Sequence, residues 1–310
     1  MATPLIIDTD LGIDDAVAVG LALASDSLDV RGIVGVGGNV GLDQVMKNIG
    51  RLLTTLAPAK MPLVGRGMDQ IVTGLTDRRK QFGTDGLGQC DLADGRVKVE
   101  PSFVALYRQI IEESAGQVAI LALGPLTNLA AVLKEAPELG GKIGRIVMSG
   151  GAVWTRGNTG AGVAEFNFHR DAIAASMVLS SGLPITVASL DVTTFICLDE
   201  SHVAHLASSG SRVGQVLAKL LQFMLNHDGE PGFGKTHVRD TVAAAALIWP
   251  DLFMRTRMRL EVVTAGTDAG RCKPQLGGDP AHRVDLLTAV NAVDLLEKLL
   301  ESLCHEAFVV

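Results

Sequence analysis

The chain has 310 residues, 47% hydrophobic and 20% charged, enough apolar content for a large core and without the bias of a disordered protein. Its net charge of −7, with 27 basic residues dispersed along the sequence, argues against a nucleic-acid partner, which would need clustered Lys and Arg. No apolar stretch approaches the roughly 20 residues of a membrane-spanning helix. "MATPLIID" enters a strand at once with no room for a secretory leader, so a cytoplasmic protein with no membrane partner is expected. Cys90, Cys197, Cys272 and Cys304 show no metal or disulfide spacing and read as reduced packing thiols.

In chain order, short apolar runs ending in turn residues alternate with longer amphipathic ones. The run "PLIID" precedes a helix through "DDAVAVGLALAS", and "VRGIVGVGG" precedes one through "LDQVMKNIGRLLTTLA". The rhythm recurs in "QVAILALG" with "PLTNLAAVLKEA", in "GRIVMSGG" and in "LPITVAS". It predicts an α/β fold, a single domain over residues 1–310 with a mostly parallel central sheet flanked by helices. Ligands of such sheets bind beyond the carboxyl ends of the strands, where "DTDLGIDD", "VGGN", "ALGPLTN" and "MSGGAVW" fall. "GVGGNVG" lacks the context of a dinucleotide fingerprint and reads as a tight strand-to-helix turn. Two polar, glycine-rich segments without periodicity, "TGLTDRRKQFGTDGLGQCDLADG" and "LNHDGEPGFGKTH", read as lids or binding loops.

The end of the first strand is charged. Asp8, Asp10, Asp14 and Asp15 lie within eight positions, and like charges this close require either a cation among them or raised carboxylate pKa values. With a helix starting near Ile13 or Asp14, Asp10 falls on the turn and Asp14 and Asp15 in the first helical turn, facing one crevice. One of the pair could simply cap the helix, but capping leaves Asp10 unexplained. Oxygen donors without nearby His or Cys select a hard cation, calcium or magnesium, over zinc. A phosphatase of the Asp-x-Asp type would need threonine or valine where Gly12 stands.

The stretch "DTDLGIDDA" resembles the DTDPGxDDA signature of the nucleoside hydrolases of the inosine-uridine-preferring type. Further motifs follow in the family's order: "VGGNV", "LALGPLTNLA", "SGGA" with "GNTGAGVAEFNFHRDAIAA", and "RDTVAAAALI". The resemblance implies calcium-dependent hydrolysis of the N-glycosidic bond of ribonucleosides to ribose and free base, in a homodimer or homotetramer. It implies that Asp10, Asp15 and Asp240 hold Ca2+ through carboxylates and Leu123 through its carbonyl. Asp14, Asn39, Asn158, Glu165 and Asn167 would bind ribose hydroxyls, and Asp10 would act as general base.

The sequence departs from this family at four places. Leu11 replaces the usual proline, Phe82 a histidine of the HGxDGLG loop, and Arg239 the histidine implicated in leaving-group protonation. A single tyrosine, Tyr107, leaves the lid around "LLQFMLNHDGEPGFG" without aromatic hydroxyls. Phe82, Trp154, Phe223, Phe233, His227, His237 and Arg239 are the available contacts for a base. Because the purine-preferring members activate the base by stacking, the loss of both histidines leans the expectation toward purines. A ribose-binding protein that kept the calcium site and lost efficient turnover is the alternative.

Overall fold

Pro4 to Thr9 are all buried in the first strand, β1 (Thr3–Thr9). A strand can be apolar on both faces only where both faces of its sheet are covered, and β1 lies inside the sheet, parallel to β2 (Leu28–Gly35) and β5 (Val118–Ala122). The computed structural model describes residues 2–69, 79–160, 162–227, 234–275, 277 and 282–305. Its remaining main-sheet strands are β3 (Leu63–Arg66), β4 (Val99–Glu100), β6 (Ile143–Ser149), β7 (Ile185–Ala188), β10 (Phe253–Val262), β11 (Cys272–Gln275) and β12 (Val284–Val290). The ten run in the order β11-β10-β12-β7-β6-β5-β1-β2-β3-β4. Only the pairings of β10, with β11 and β12, are antiparallel. A separate ribbon pairs β8 (Cys197–Asp199) with β9 (Lys235–His237).

Helices cover both faces. One core joins α1 (Ile13–Ala24), α2 (Leu42–Leu56), α10 (Arg212–His227), α11 (Arg239–Ile248) and α12 (Ala292–Cys304) to the sheet, and the other joins α4 (Phe103–Glu113), α5 (Thr127–Glu135) and α7 (Ala172–Leu179). The short helices are α3 (Arg79–Phe82), α6 (Phe166–Arg170), α8 (Leu190–Thr193) and α9 (Glu200–Ser208). Helix α1 is buried from Ile13 through Ala22, as a helix apolar all round must be. Its Gly20 lets α10 come close, since a Cβ there would lie 2.9 Å from Leu217 Cδ1.

Each strand and helix expected from the apolar runs is present, and the mostly parallel sheet follows. The sequence reading passes over β10, β11 and β12, because "FMRTRMRLEV" alternates basic and apolar residues on an exposed surface and offers no buried run. Of the two segments expected as loops, residues 79–95 of the first are described and 73–78 lie outside the described residues. In the first, Asp85 accepts from the Leu87 and Gln89 amides at 3.0 and 2.9 Å and pairs with Arg51 of α2 at 3.1 Å. In the second, Leu225 to His227 end α10 and Lys235 to His237 form β9, while 228–233 lie outside the described residues. Among the described residues no helix is long and apolar enough to cross a membrane.

Candidate active site

The turn from β1 into α1 is held by its own side chains. Thr9 Oγ1 donates to Asp15 Oδ1 at 2.5 Å, the Gly12 amide to Asp15 Oδ2 at 2.9 Å, and the Leu11 amide to Thr9 Oγ1 at 3.0 Å. Asp15 therefore does cap α1, and it lies behind the pocket lining rather than in it. Leu11 adopts φ +33°, a left-handed value that proline, fixed near −65°, cannot reach. The leucine thus suits the turn as it is built here.

Carboxylate oxygens of Asp14, Asp15 and Asp240 lie within 4.8 Å of one another, and all three residues are buried. Asp240 arrives in the first turn of α11, which packs against α1. Asp10 lines the same pocket and accepts the Asn39 amide at 2.7 Å. Burial, joined by repulsion from Asp15, holds the Asp10 carboxyl well above the usual carboxylate range. Burial and then repulsion from Asp14 and Asp15 do the same to Asp240, and burial raises Asp15 against its hydrogen bonds from Thr9 and Gly12.

The "VGG" turn exists to admit these groups. A Cβ on Gly38 would lie 2.0 Å from Asp10 Oδ2, and one on Gly37 2.1 Å from Asp69 Oδ1. Arg170, buried and over the Phe166 ring at 5.6 Å, donates to the Gly38 carbonyl at 3.2 Å, and its charge draws the Asp10 carboxyl downward. Beneath the turn, Asp8 accepts from Tyr107 Oη at 2.7 Å and Asn128 Nδ2 at 3.1 Å, and burial raises its carboxyl to about 7. Asn128 also donates to the Gly35 carbonyl and accepts the Met68 amide. Arg170, Asn128 and the Asp8–Tyr107 pair escaped the sequence reading as site supports, because nothing local marks a partner dozens of residues away.

Asn39, Asn158, Glu165 and Asn167 line the pocket with Asp10, Asp14, Asp240 and Leu123. Glu165 caps α6, accepting the Asn167, Phe168 and Gly151 amides at 2.9, 3.1 and 3.0 Å. Asn158 accepts the Phe166 amide at 2.8 Å. Asn167 donates to the Leu123 and Ser149 carbonyls at 2.6 and 3.0 Å; a carbonyl carries two lone pairs, so Leu123 keeps one for another partner.

Of the groups offered for the base, Phe82 and Arg239 line the pocket. Phe82 is brought there by the Asp85 loop, which α2 pins through Arg51 and through Asn48 donating to the Asp85 carbonyl at 2.7 Å. The others stand elsewhere. Trp154 is 58% exposed and outside the lining. His227 stacks on Phe223 with ring centroids 4.0 Å apart and bonds the Phe223 carbonyl at 2.8 Å. His237 lies 3.1 Å from Cys197 Sγ in the β8–β9 ribbon, and Phe233 is outside the described residues. No histidine lines the pocket among the described residues.

A mostly parallel sheet whose carboxyl ends gather buried carboxylates and amides around one pocket defines an acidic ligand site of the α/β class, and comparison with known proteins specifies it. Residues 5–297 match the inosine-uridine preferring nucleoside hydrolase family, and the chain belongs to that family, as a hydrolase of N-ribosyl bonds. Pyrimidine-specific ribonucleoside hydrolases RihA of Citrobacter koseri and Salmonella arizonae are each 36% identical over 275 residues, 86% of this chain and 86% of theirs. A purine-preferring ribonucleoside hydrolase from Gardnerella vaginalis superposes with a TM-score of 0.91 at 27% identity, covering 99% of this chain and 100% of that one. A plant nucleoside hydrolase gives 0.90 at 28% identity, with 98% and 99% covered.

Proposed function

We propose that the protein hydrolyses the N-glycosidic bond of ribonucleosides with the help of Ca2+ held by Asp10, Asp15, Asp240 and the Leu123 carbonyl. The observation that carries this reading is the burial of Asp10, Asp14, Asp15 and Asp240 beside one another, four carboxylates against the two guanidiniums, Arg170 and Arg239, that stand near them among the described residues. Burial, joined at Asp10 and Asp240 by repulsion from neighbouring carboxylates, raises Asp10, Asp15 and Asp240, a cost that a divalent ion among them relieves, and an all-oxygen donor set suits calcium. Asp14 shares the carboxylate trio with Asp15 and Asp240, so it can serve the ion as well as a ribose hydroxyl.

When bound, the ion supplies a Lewis acid that orients the ribose diol and lowers the pKa of an attacking water. Asp10 would serve as the general base for the attacking water. Asp14, Asn39, Asn158, Glu165 and Asn167 orient the sugar, and the surrounding carboxylates favour the positive charge of an oxocarbenium-like transition state. Phe82 and Arg239 meet the base. Arginine is a poor acid, with a pKa above ~12, but its fork can donate hydrogen bonds to a base leaving with negative charge.

For the base, the reading favours purines, resting on an aromatic wall at Phe82 and a pocket lining without histidine. The pyrimidine-specific relatives at 36% identity support the opposite preference. Reducing-sugar release from inosine, guanosine, uridine and cytidine, measured beside calcium content, tests both halves: a higher kcat/KM on the purines supports the first reading, a higher one on the pyrimidines the second. Release from none would leave the ribose-binding alternative. The proposed assembly, a homodimer or homotetramer, rests on family resemblance and is checked by light scattering.

A further inference from the structure

Four of the dispersed arginines converge in space. Arg145 on β6, Arg255 and Arg257 on β10, and Arg283 just before β12 line a cleft of about 300 Å³ with a single carboxylate, Asp285, among its described residues. The register explains the convergence. Arg257 lies opposite Asp285, Arg255 opposite Leu287, and Asp285 opposite Thr186 of β7, which in turn faces Val147 of β6. Residues directly opposite share a face, and residues two apart on a strand share it too, so all of these side chains emerge on one side of the sheet.

Ala246 and Pro250, at and beyond the end of α11, close the cleft on that side. The same helix carries Arg239 and Asp240 into the nucleoside pocket at its other end. A helix of 10 residues spans about 15 Å, so the cleft is separate from the catalytic crevice. It opens at the amino ends of β6, β7 and β12, opposite to where the ribose site lies.

None of the four guanidiniums makes a side-chain hydrogen bond or ion pair among the described residues, and Arg145 is half-buried, its pKa lowered by burial alone. Desolvating a guanidinium without a partner is costly, and holding like charges together adds to the cost. In a chain of net charge −7 no shortage of acids forces the arrangement. We propose that this cleft is an anion site for a diphosphate group, free or carried on a nucleoside. One phosphate monoester carries about −1.5 to −2 at neutral pH and leaves the cleft positive, whereas two joined phosphates come close to balancing four guanidiniums and one carboxylate. Planar guanidinium forks match phosphate oxygens in pairs.

Titration calorimetry of the full-length protein with inorganic pyrophosphate and with ADP is the test, run on the wild type and on the Arg255→Met/Arg257→Met double variant. Both positions are solvent-exposed, so the variant keeps the fold, and its reducing-sugar release stays within twofold of the wild type. The expected result is saturable binding at one site per chain, at least tenfold weaker for orthophosphate and at least tenfold weaker in the variant; the tighter of the two diphosphates names the source. Heat from calcium chelation is common to both proteins and cancels in the comparison. No saturable binding, or equal binding by the variant, overturns the proposal. So does a variant that changes oligomeric state while neither protein binds pyrophosphate, which would assign the arginine face to a second copy.

Discussion

Arg239 lines the pocket, and its Nε is buried without a hydrogen-bond partner among the described residues. If it stabilises the departing base, Arg239→Ala should lower kcat/KM on natural nucleosides by ~10²-fold or more, in the range of losing one charge-stabilising donor. A p-nitrophenyl riboside, whose leaving group needs no such help, should lose far less. Equal losses on both substrates would mean that Arg239 supports the cation cradle instead. The same variant bears on pH: with no histidine in the pocket lining, no limb of the kcat/KM profile near pH 6 to 7 should disappear in His227→Ala or His237→Ala.

Among the elements, the supports below the site can be tested apart from its chemistry. Tyr107 is fully buried on α4, and its hydroxyl donates to Asp8 of β1. Tyr107→Phe leaves a buried carboxyl short of a donor and should destabilise by ~1–3 kcal/mol in urea unfolding. An unchanged midpoint would show that the pair contributes nothing net. Arg51 on α2 ties down the loop that presents Phe82, and Arg51→Met should raise KM for nucleosides while leaving kcat on the p-nitrophenyl riboside nearly unchanged. A fall in both would place the effect in the core of α2.

The elements also show what a sequence can carry. Apolar runs such as Leu5–Ile7 and Val118–Ala122 announced the central strands, because burial on both faces leaves no polar interruption. The Asp10, Asp14 and Asp15 spacing pointed to the crevice by local geometry alone. Strand β10 gave no signal since its exposed residues are largely basic, and the gathering of Arg145, Arg255, Arg257 and Arg283 depends on register between strands far apart in the chain. Trp154 and the two histidines illustrate the converse limit: proximity in sequence to the motifs did not bring them into the pocket lining. For the two histidines the direction of the side chain is set by their partners, Phe223 and Cys197.

Across the whole molecule, the raised carboxylates link stability to pH and, on the proposed reading, to calcium. Asp8, Asp10, Asp15 and Asp240 all have folded-state values above 3.8. Above the unfolded value the folded state therefore binds more protons than the unfolded one, and stability without metal falls as pH rises through the folded values. For Asp8 the window runs from 3.8 to about 7, a loss on the order of 4 kcal/mol by pH 8. A cation bound only by the folded cradle offsets the part due to Asp10, Asp15 and Asp240. Calcium should accordingly raise the thermal midpoint clearly at pH 8 and little at pH 5, where protons compete for the same oxygens. An increment that is equal at both pH values would contradict a carboxylate cradle.

The most direct measurement of the central claim is reducing-sugar release by Asp10→Ala, with folding checked by circular dichroism and bound calcium counted in the same preparation. Removing both a ligand and the general base should lower turnover by at least ~10³-fold and reduce the calcium held. A folded Asp10→Ala protein that retains near-normal turnover and a full complement of calcium would contradict the account.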